Sequence, residues 1–180
     1  NHIGVPLTVL NINKKTEIAV IEMGANHVGE IKKLCEIAQP NYGVVTNVGK
    51  AHIGSFGGLQ NIIKAKSELY NFLKKNNKTI FVNKQDLVLN KQIGKYKKCI
   101  YYNYNKLKNS EKKNYFQYNI NPFISINFNK ISVDTRIFGS YNKINIELAV
   151  EIARYFSIQN SKIIKSLENH SISENRSEFI

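Results

Sequence analysis

The chain has 180 residues, of which 42% are hydrophobic, so it is long enough to form a domain with its own core. No apolar run approaches the ~18 to 20 residues of a membrane span, and no basic and apolar leader opens the sequence, which favours a soluble protein. Two widely separated cysteines, Cys35 and Cys99, argue against a disulfide framework or a zinc knuckle and fit a reducing cytoplasm.

The net charge of +13 raises nucleic acid as a partner. Most of the excess is lysine spread through a chain rich in Asn, Ile and Tyr, which compositional drift explains better than a binding site. The segment 101–130 is the strongest candidate for such a surface, because bases stack on aromatic residues beside a basic groove. Solvated strands and loops have the same composition, so we expect no nucleic-acid partner and keep a basic nucleic-acid-binding module as an alternative.

The first predicted elements form a strand–helix–strand unit. TEIAVIEM at 17–24 is a nearly continuous apolar run, typical of a parallel strand buried on both faces, and YGVVTNVG at 42–49 repeats the pattern. Between these strands, four apolar residues recur at the spacing of one helix face: Ile31, Leu34, Cys35 and Ala38. The helix is predicted to end before Pro40.

A second helix is predicted over 58–75, and the strand KTIFVN at 78–83 follows it. The apolar stripe of this helix consists of Leu59, Ile62, Ile63, Tyr70 and Leu73. Lys66 falls on the same stripe, although burying an unpaired ammonium is costly. The residues expected on the solvent side are Lys64, Ser67, Glu68 and Asn71.

Beyond residue 97 the pattern changes to short alternating strands, KCIYYN, ISINFN and ISVDTRIF, which suit a smaller antiparallel sheet. Helices are predicted at 141–156, with Ile144, Leu148 and Ile152 on one face, and at 160–169. The predicted class is therefore α/β, with a mostly parallel sheet flanked by helices and a small antiparallel sheet. Both ends of the chain look cut, so we expect a middle piece of a longer protein.

Three candidate ligands follow the predicted strands. Ligands of open parallel sheets gather beyond the carboxyl ends of the strands, where Glu22 closes one strand, His52 follows the next and Lys66 lies in the next helix. A carboxylate and an imidazole suit a divalent cation, whereas an ammonium cannot bind one. A lysine that burial deprotonates can react with carbon dioxide to give a carbamate, which is a hard-metal ligand. We therefore hypothesise a metal site formed by Glu22, His52 and carbamylated Lys66.

Each of these residues also has a simpler structural interpretation. A glutamate at a strand end is often solvated, a histidine in a Gly-rich loop is often structural, and a lysine on an apolar stripe often extends its ammonium to water. The loop GSFGG at 54–58 could offer backbone N–H groups to an anion, although no Walker A sequence occurs in the chain. Asn142 and Asn145 could contact an adenine edge, although compositional drift for the asparagines and a helix cap for Ser140 are the commoner explanation.

The chain contains six segments in this order: NHIGVPLT, VIEMGANHVGEI, VTNVGKAHIGSFGG, IIKAKSE, FGSYNKINIELAV and NRS. Together they resemble the central domain of the Mur ligases. These are the ATP-dependent amide-forming enzymes of peptidoglycan synthesis. Within that family, GANHVGEI and AHIGSFGGLQNIIKAKSE are most similar to the branch that adds D-alanyl-D-alanine to UDP-N-acetylmuramoyl-tripeptide. The resemblance implies a P-loop-type sheet over 1–180, truncated at its N-terminus so that the phosphate loop is absent, with 171–180 as a junction to a C-terminal domain.

The resemblance also implies roles for single residues. Glu22 and His52 match the family's magnesium ligands, and Lys66 matches the lysine that members carbamylate. Asn47 matches the Asn of a TN pair beside the metal site, in a substrate-side role that the resemblance does not specify.

Nucleotide contacts are implied in the second half. Asn142 and Asn145 match the two Asn of the family's GxHNxxN segment, in which Tyr141 replaces the His. Arg176 matches an arginine near the nucleotide.

The implied parent protein is a cytoplasmic, monomeric ligase that uses ATP and Mg²⁺ and serves cell-wall synthesis, cell shape and division. Without a phosphate loop, residues 1–180 alone are expected to be inactive. The alternatives are a folylpolyglutamate synthase or cyanophycin synthetase of the same superfamily, the basic nucleic-acid-binding module, and a degraded remnant that acts only as a scaffold.

Overall fold

The structure is a computed structural model that describes residues 1–49, 53–103, 117–128 and 131–170. The chain divides into two compact units, Asn1–Tyr101 and Tyr102–Ile180. No helix among the described residues is both long and apolar enough to cross a membrane.

The first unit contains five helices and most of a three-stranded sheet. The helices are α1 (Gly4–Leu10), α2 (Glu30–Ala38), α3 (Ile53–Phe56), α4 (Leu59–Lys75) and α5 (Leu87–Ile93). The strands are β1 (Tyr42–Val44), β2 (Thr79–Asn83) and β3 (Cys99–Tyr102), in the spatial order β1-β2-β3. β1 and β2 are parallel, with Tyr42 opposite Thr79 and Val44 opposite Phe81. The predicted succession of a strand, a helix and a parallel strand over 42–49, 58–75 and 78–83 is confirmed, although β1 is shorter than predicted. The strand–helix–strand unit predicted from 17–24 to 42–49 is not formed, because no strand is assigned to 17–24.

The core of this unit lies between β2 and α4. Ile80 and Val82 are fully buried because β2 is the central strand of the sheet. Tyr70 and Leu73 of α4 pack on them. Gly43 of β1 lets α4 approach closely, since a Cβ there would lie 2.6 Å from Cδ1 of Leu73.

The prediction of a buried strand at 17–24 is wrong. No strand is assigned to this segment, and Ile18 and Val20 are 54% and 91% exposed. Only the alternate residues Ile21 and Met23 pack against a core cluster, which is formed by α1 and α2. An apolar run becomes a buried strand only where neighbouring strands bond to both of its edges and other elements cover both faces, and here only one face is covered.

The prediction that KCIYYN belongs to the antiparallel sheet is also wrong. The segment forms β3, which lies beside β2 in the first sheet. The backbone N–H of Ile80 donates a 3.0 Å hydrogen bond to the carbonyl of Lys98. β3 lies at the edge of the described sheet, and three of its four residues, Cys99, Ile100 and Tyr101, are half-buried.

The second unit pairs an antiparallel sheet with two helices. Its strands are β4 (Gln117–Ile120), β5 (Phe123–Phe128) and β6 (Ile131–Phe138), in sequential order, and its helices are α6 (Asn142–Tyr155) and α7 (Asn160–Glu168). The core consists of Ile124, Ile126, Val133, Ile137, Ile146, Val150, Ile163 and Leu167. The α/β class with a separate antiparallel sheet is confirmed, whereas β4 was not predicted.

The face of α6 that packs on this core differs in part from the predicted one. Ile146 and Val150 belong to the core cluster, and Leu148 is buried as predicted, but Ile144 is 37% exposed. Apolar residues occur on two nearly opposite stripes of this helix, because Ile146 and Val150 are offset by two residues from Ile144 and Leu148, so spacing alone could not select the stripe that contacts the sheet.

Candidate functional site

Lys66 lies in α4 with its ammonium half-buried. Its Nζ donates a 2.7 Å hydrogen bond to the backbone carbonyl of Asn47, in the segment that follows β1. Within the described part of the chain, Lys66 forms no ion pair. Burial lowers the pKa of this lysine, because desolvation penalises the charged form and no carboxylate offsets the penalty. Burial therefore makes the proton of this amine easier to remove than that of an exposed lysine.

A small apolar cluster positions this lysine. Phe56 of α3 and Ile62 and Ala65 of α4 form its buried part, and Ala25 and Val48 pack against it. These residues lie close in sequence to four of the predicted site residues: Glu22, Asn47, His52 and Lys66. Among the described residues, the cluster thus draws together the segments that carry Glu22, Asn47 and Lys66.

Glu22 lies on the extended segment before this cluster and is exposed. It forms no hydrogen bond or ion pair with the other described residues, so both oxygens of the carboxylate are available to a cation. His52 lies outside the described residues. Among those described, no group of three or more His, Cys, Asp and Glu side chains could hold a metal. A hard cation fits the donors present only if Lys66 becomes an oxygen ligand.

Asn47 presents its backbone rather than its side chain to Lys66. The side-chain Oδ1 accepts a 3.2 Å hydrogen bond from the backbone N–H of Gly49, two residues along the same segment. This turn fixes the local backbone and leaves the carbonyl of Asn47 for the lysine.

The GSFGG segment is not the open loop that was predicted, because its first three residues belong to α3. Phe56 is buried, and its carbonyl accepts a 2.7 Å hydrogen bond from Nδ2 of Asn61. Gly57 and Gly58 have φ of +68° and +134°, conformations that side chains disfavour, and they connect α3 to α4. The glycine pair serves this tight connection.

In the second unit, the two predicted nucleotide-contacting amides are linked. Nδ2 of Asn145 donates a 3.0 Å hydrogen bond to Oδ1 of Asn142, whose own Nδ2 donates a 2.8 Å bond to the carbonyl of Phe138. The prediction of Ser140 as the helix cap is wrong: the N-cap is Tyr141, without a side-chain cap bond. Arg176 lies outside the described residues.

The sequence analysis missed the contacts of two carboxylates, Glu68 and Glu30, which accept hydrogen bonds from backbone N–H groups. Glu68 was expected on the solvent side of α4, but its Oε1 accepts a 2.6 Å hydrogen bond from the N–H of Gly29 and its Oε2 a 2.9 Å bond from the N–H of Lys32. No local pattern signals a contact between residues so far apart in sequence. Glu30 Oε2 accepts a 2.8 Å bond from the N–H of Asn26, which with His27 lowers the pKa of this carboxyl.

Ser67 was also expected on the solvent side of α4 but is buried. It lies three residues before the fully buried Tyr70 and therefore shares that residue's face.

The chain is similar to known proteins over its whole length. The family described as the Mur ligase middle domain matches residues 1–153. The UDP-N-acetylmuramoyl-tripeptide–D-alanyl-D-alanine ligase of Bacillus subtilis is 32% identical over 183 aligned positions, which cover 100% of this chain and 39% of that protein. The ligase of the same name from Haemophilus influenzae is 46% identical over 76 residues, 42% of this chain and 17% of that protein.

A solved structure is also similar to nearly the whole chain. The crystal structure of MurF from Acinetobacter baumannii superposes with a TM-score of 0.83 at 28% identity, over 99% of this chain and 40% of that chain. The chain therefore spans well under half of the length of the relatives it matches. Together, the family match and the full-length similarity show that the chain belongs to the Mur ligase family, within its middle domain.

Proposed function

We propose that the protein containing this chain is a cytoplasmic, ATP-dependent ligase that adds D-alanyl-D-alanine to UDP-N-acetylmuramoyl-tripeptide. Membership of the Mur ligase family and the names of the relatives support this assignment. The observation that carries it is the half-buried amine of Lys66, which has a lowered pKa and donates to the backbone carbonyl of Asn47.

The amine of Lys66 becomes a metal ligand through carbamylation in this proposal. The neutral amine attacks carbon dioxide, so that a bond forms between Nζ and carbon, and one proton passes to solvent. The product is a carboxylate at the end of a long side chain, which needs a cation beside it to be stable in a half-buried position. The exposed carboxylate of Glu22 would supply a second oxygen donor.

The magnesium ion would be held by Glu22, His52 and carbamylated Lys66. When bound, it supplies positive charge that offsets the repulsion between the peptide carboxylate and the triphosphate of ATP. In the second unit, Asn142 and Asn145 would contact the nucleotide, with Arg176 as a further contact.

The reaction would proceed by two substitutions. The terminal carboxylate of the tripeptide attacks the γ-phosphorus of ATP, ADP leaves, and an acyl phosphate forms. The amine of D-alanyl-D-alanine then attacks the acyl carbon, phosphate leaves, and the amine proton passes to solvent. Residues 1–180 contain no GxxxxGK[ST] phosphate loop, so we propose that these residues alone do not catalyse it.

Phosphate release by the complete protein tests the assignment. The assay contains ATP, magnesium, UDP-N-acetylmuramoyl-tripeptide and D-alanyl-D-alanine, and each component is left out in turn. We expect release only when all four are present. Phosphate release that requires a folate and glutamate instead would assign the protein to the folylpolyglutamate synthases. The absence of phosphate release with any acceptor would refute the assignment as a ligase.

A further inference from the structure

We propose that Glu68 is a positioning residue that orients α4 so that Lys66 can be carbamylated; this inference rests on the proposed function. Glu68 joins two segments that are distant in the sequence, because its carboxylate bonds to the backbone N–H groups of Gly29 and Lys32 at 2.6 and 2.9 Å.

Glu68 supplies a cap that α2 lacks. The N-cap of α2 is Gly29, which has no side chain to accept a bond from the first turn, and no side-chain cap bond is made there from within α2. The unpaired N–H groups of a helix start carry partial positive charge and are satisfied well by a carboxylate. Both oxygens of Glu68 are used, so the carboxylate is held in one position and orientation.

The two bonds restrict the rotation of α4. Successive residues of a helix are about 100° apart, so Glu68 and Lys66 point in directions about 200° apart, on nearly opposite sides of α4. Glu68 is fixed to α2 on one side, and Lys66 faces the Asn47 carbonyl on the other. A rotation or shift of α4 that breaks the first contact moves the amine away from the second.

Apolar packing alone sets this rotation less sharply. The apolar contact of α4 with α2 involves Leu69 and Phe72, which are only partly buried and pack against the cluster that contains Ile31 and Leu34. Apolar contacts tolerate small shifts, whereas charge-assisted hydrogen bonds require defined distances and angles. Glu68 thus fixes the position of Lys66 more narrowly than the packing does.

The test measures carbamate on Lys66 directly, by ¹³C NMR of the complete protein with magnesium and ¹³C-bicarbonate. Glu68→Gln has nearly the same shape, but it replaces one of the two acceptor oxygens by an –NH2 group, which cannot accept a bond from the N–H group it would face. We expect it to raise the bicarbonate concentration for half-maximal carbamylation about tenfold or more, as loss of a partner that orients a metal ligand does. Glu68→Asp keeps the charge with a shorter reach, and we expect an intermediate shift.

Asp86→Asn is the matched control. The Oδ1 of Asp86 accepts a 2.9 Å bond from the N–H of Leu89 and caps α5 in the same unit, so the chemical change is the same at another helix start. We expect no shift in bicarbonate dependence for this variant. Lys66→Ala, which should lack the signal, identifies the carbamate resonance.

Two results would overturn the inference and can be told apart. If wild-type protein shows the carbamate and both Glu68 variants match it, Glu68 has only a structural role. If wild-type protein shows no carbamate at any bicarbonate concentration, the carbamate proposal itself fails, and the inference fails with it.

Discussion

The ammonium of Lys66 donates its hydrogen bond to the backbone carbonyl of Asn47, at 2.7 Å, rather than to a carboxylate. A carbonyl carries only a partial charge, so it stabilises an ammonium less than a carboxylate does. The carbonyl therefore offsets only part of the cost of removing the ammonium from water. The result is a lysine whose pKa is lowered by burial and whose amine faces the segment that follows β1.

Lys66→Ala should lower the turnover of the complete ligase by about 10²-fold or more, the size of effect that follows loss of a charge-stabilising group. Short carboxylates such as acetate should restore part of the rate, because they can replace the carbamate. Lys64→Ala is the control, since Lys64 is an exposed lysine on the same helix. Normal turnover of the Lys66 variant would rule out the proposed role.

Gly43→Ala should lower the free energy of unfolding by about 1–3 kcal/mol, the range for overpacking a core. The new Cβ would lie 2.6 Å from Cδ1 of Leu73, which is fully buried, so this side chain would have to shift within the core. Urea denaturation measures the change. Gly24→Ala should stay within about 0.5 kcal/mol of wild type, because nothing lies within 4 Å of the added atom. Equal stabilities of the two variants would contradict the close approach of α4 to β1.

Stability should fall at alkaline pH because of Cys35. Burial raises the pKa of its thiol to about 11, whereas the pKa of a cysteine thiol in an unfolded chain is about 8.5. The folded state holds this proton more tightly, so the stabilisation is complete below about pH 8.5 and is lost as pH rises towards 11. At about pH 10 the loss should be on the order of 1–2 kcal/mol.

The variant Cys35→Ala isolates this effect. It removes the titrating group, so its unfolding free energy should fall less between about pH 7 and 10 than that of wild type. The comparison uses the two pH slopes, since the variant also leaves a small cavity that lowers stability at every pH. Identical slopes would show that Cys35 is not shielded from water as the structure indicates.

Gly139→Ala should destabilise the second unit by about 1–2 kcal/mol, because the φ of Gly139 is +85° and side chains disfavour that conformation. Gly139→Asn adds a Cβ in the same place beside the ring of Tyr141, but asparagine tolerates positive φ better. The asparagine variant should therefore unfold at a higher temperature than the alanine variant. The reverse order would indicate that contact with Tyr141, rather than backbone strain, dominates.

Much of the fold could be predicted from local spacing. The helices α2 and α4 and the strands β2, β5 and β6 lie where periodicity places them, because their burial follows one regular pattern over several residues. The prediction of a buried strand at 17–24 failed because burial of an apolar run depends on partner strands and covering elements that the run itself does not specify. The assignment of KCIYYN to the antiparallel sheet failed for a related reason, because a strand with an alternating pattern can lie at the edge of either sheet.

The candidate site was predictable only in part. Lys66 was found because a lysine on an apolar stripe breaks a local pattern, and the structure places it half-buried as that pattern predicts. Glu68 follows no such pattern: its partners, the N–H groups of Gly29 and Lys32, are backbone groups on another helix. Contacts of this kind depend on how two helices meet, which residue types do not show.

A crystal structure of the complete protein, grown with magnesium and bicarbonate, tests the central claim most directly. We expect density for a carboxylate on Nζ of Lys66 and a metal ion bound to it and to Glu22, with the hydrogen bond to Asn47 weakened or lost. A bare amine that still donates to the Asn47 carbonyl, with Glu22 in solvent, would contradict the account.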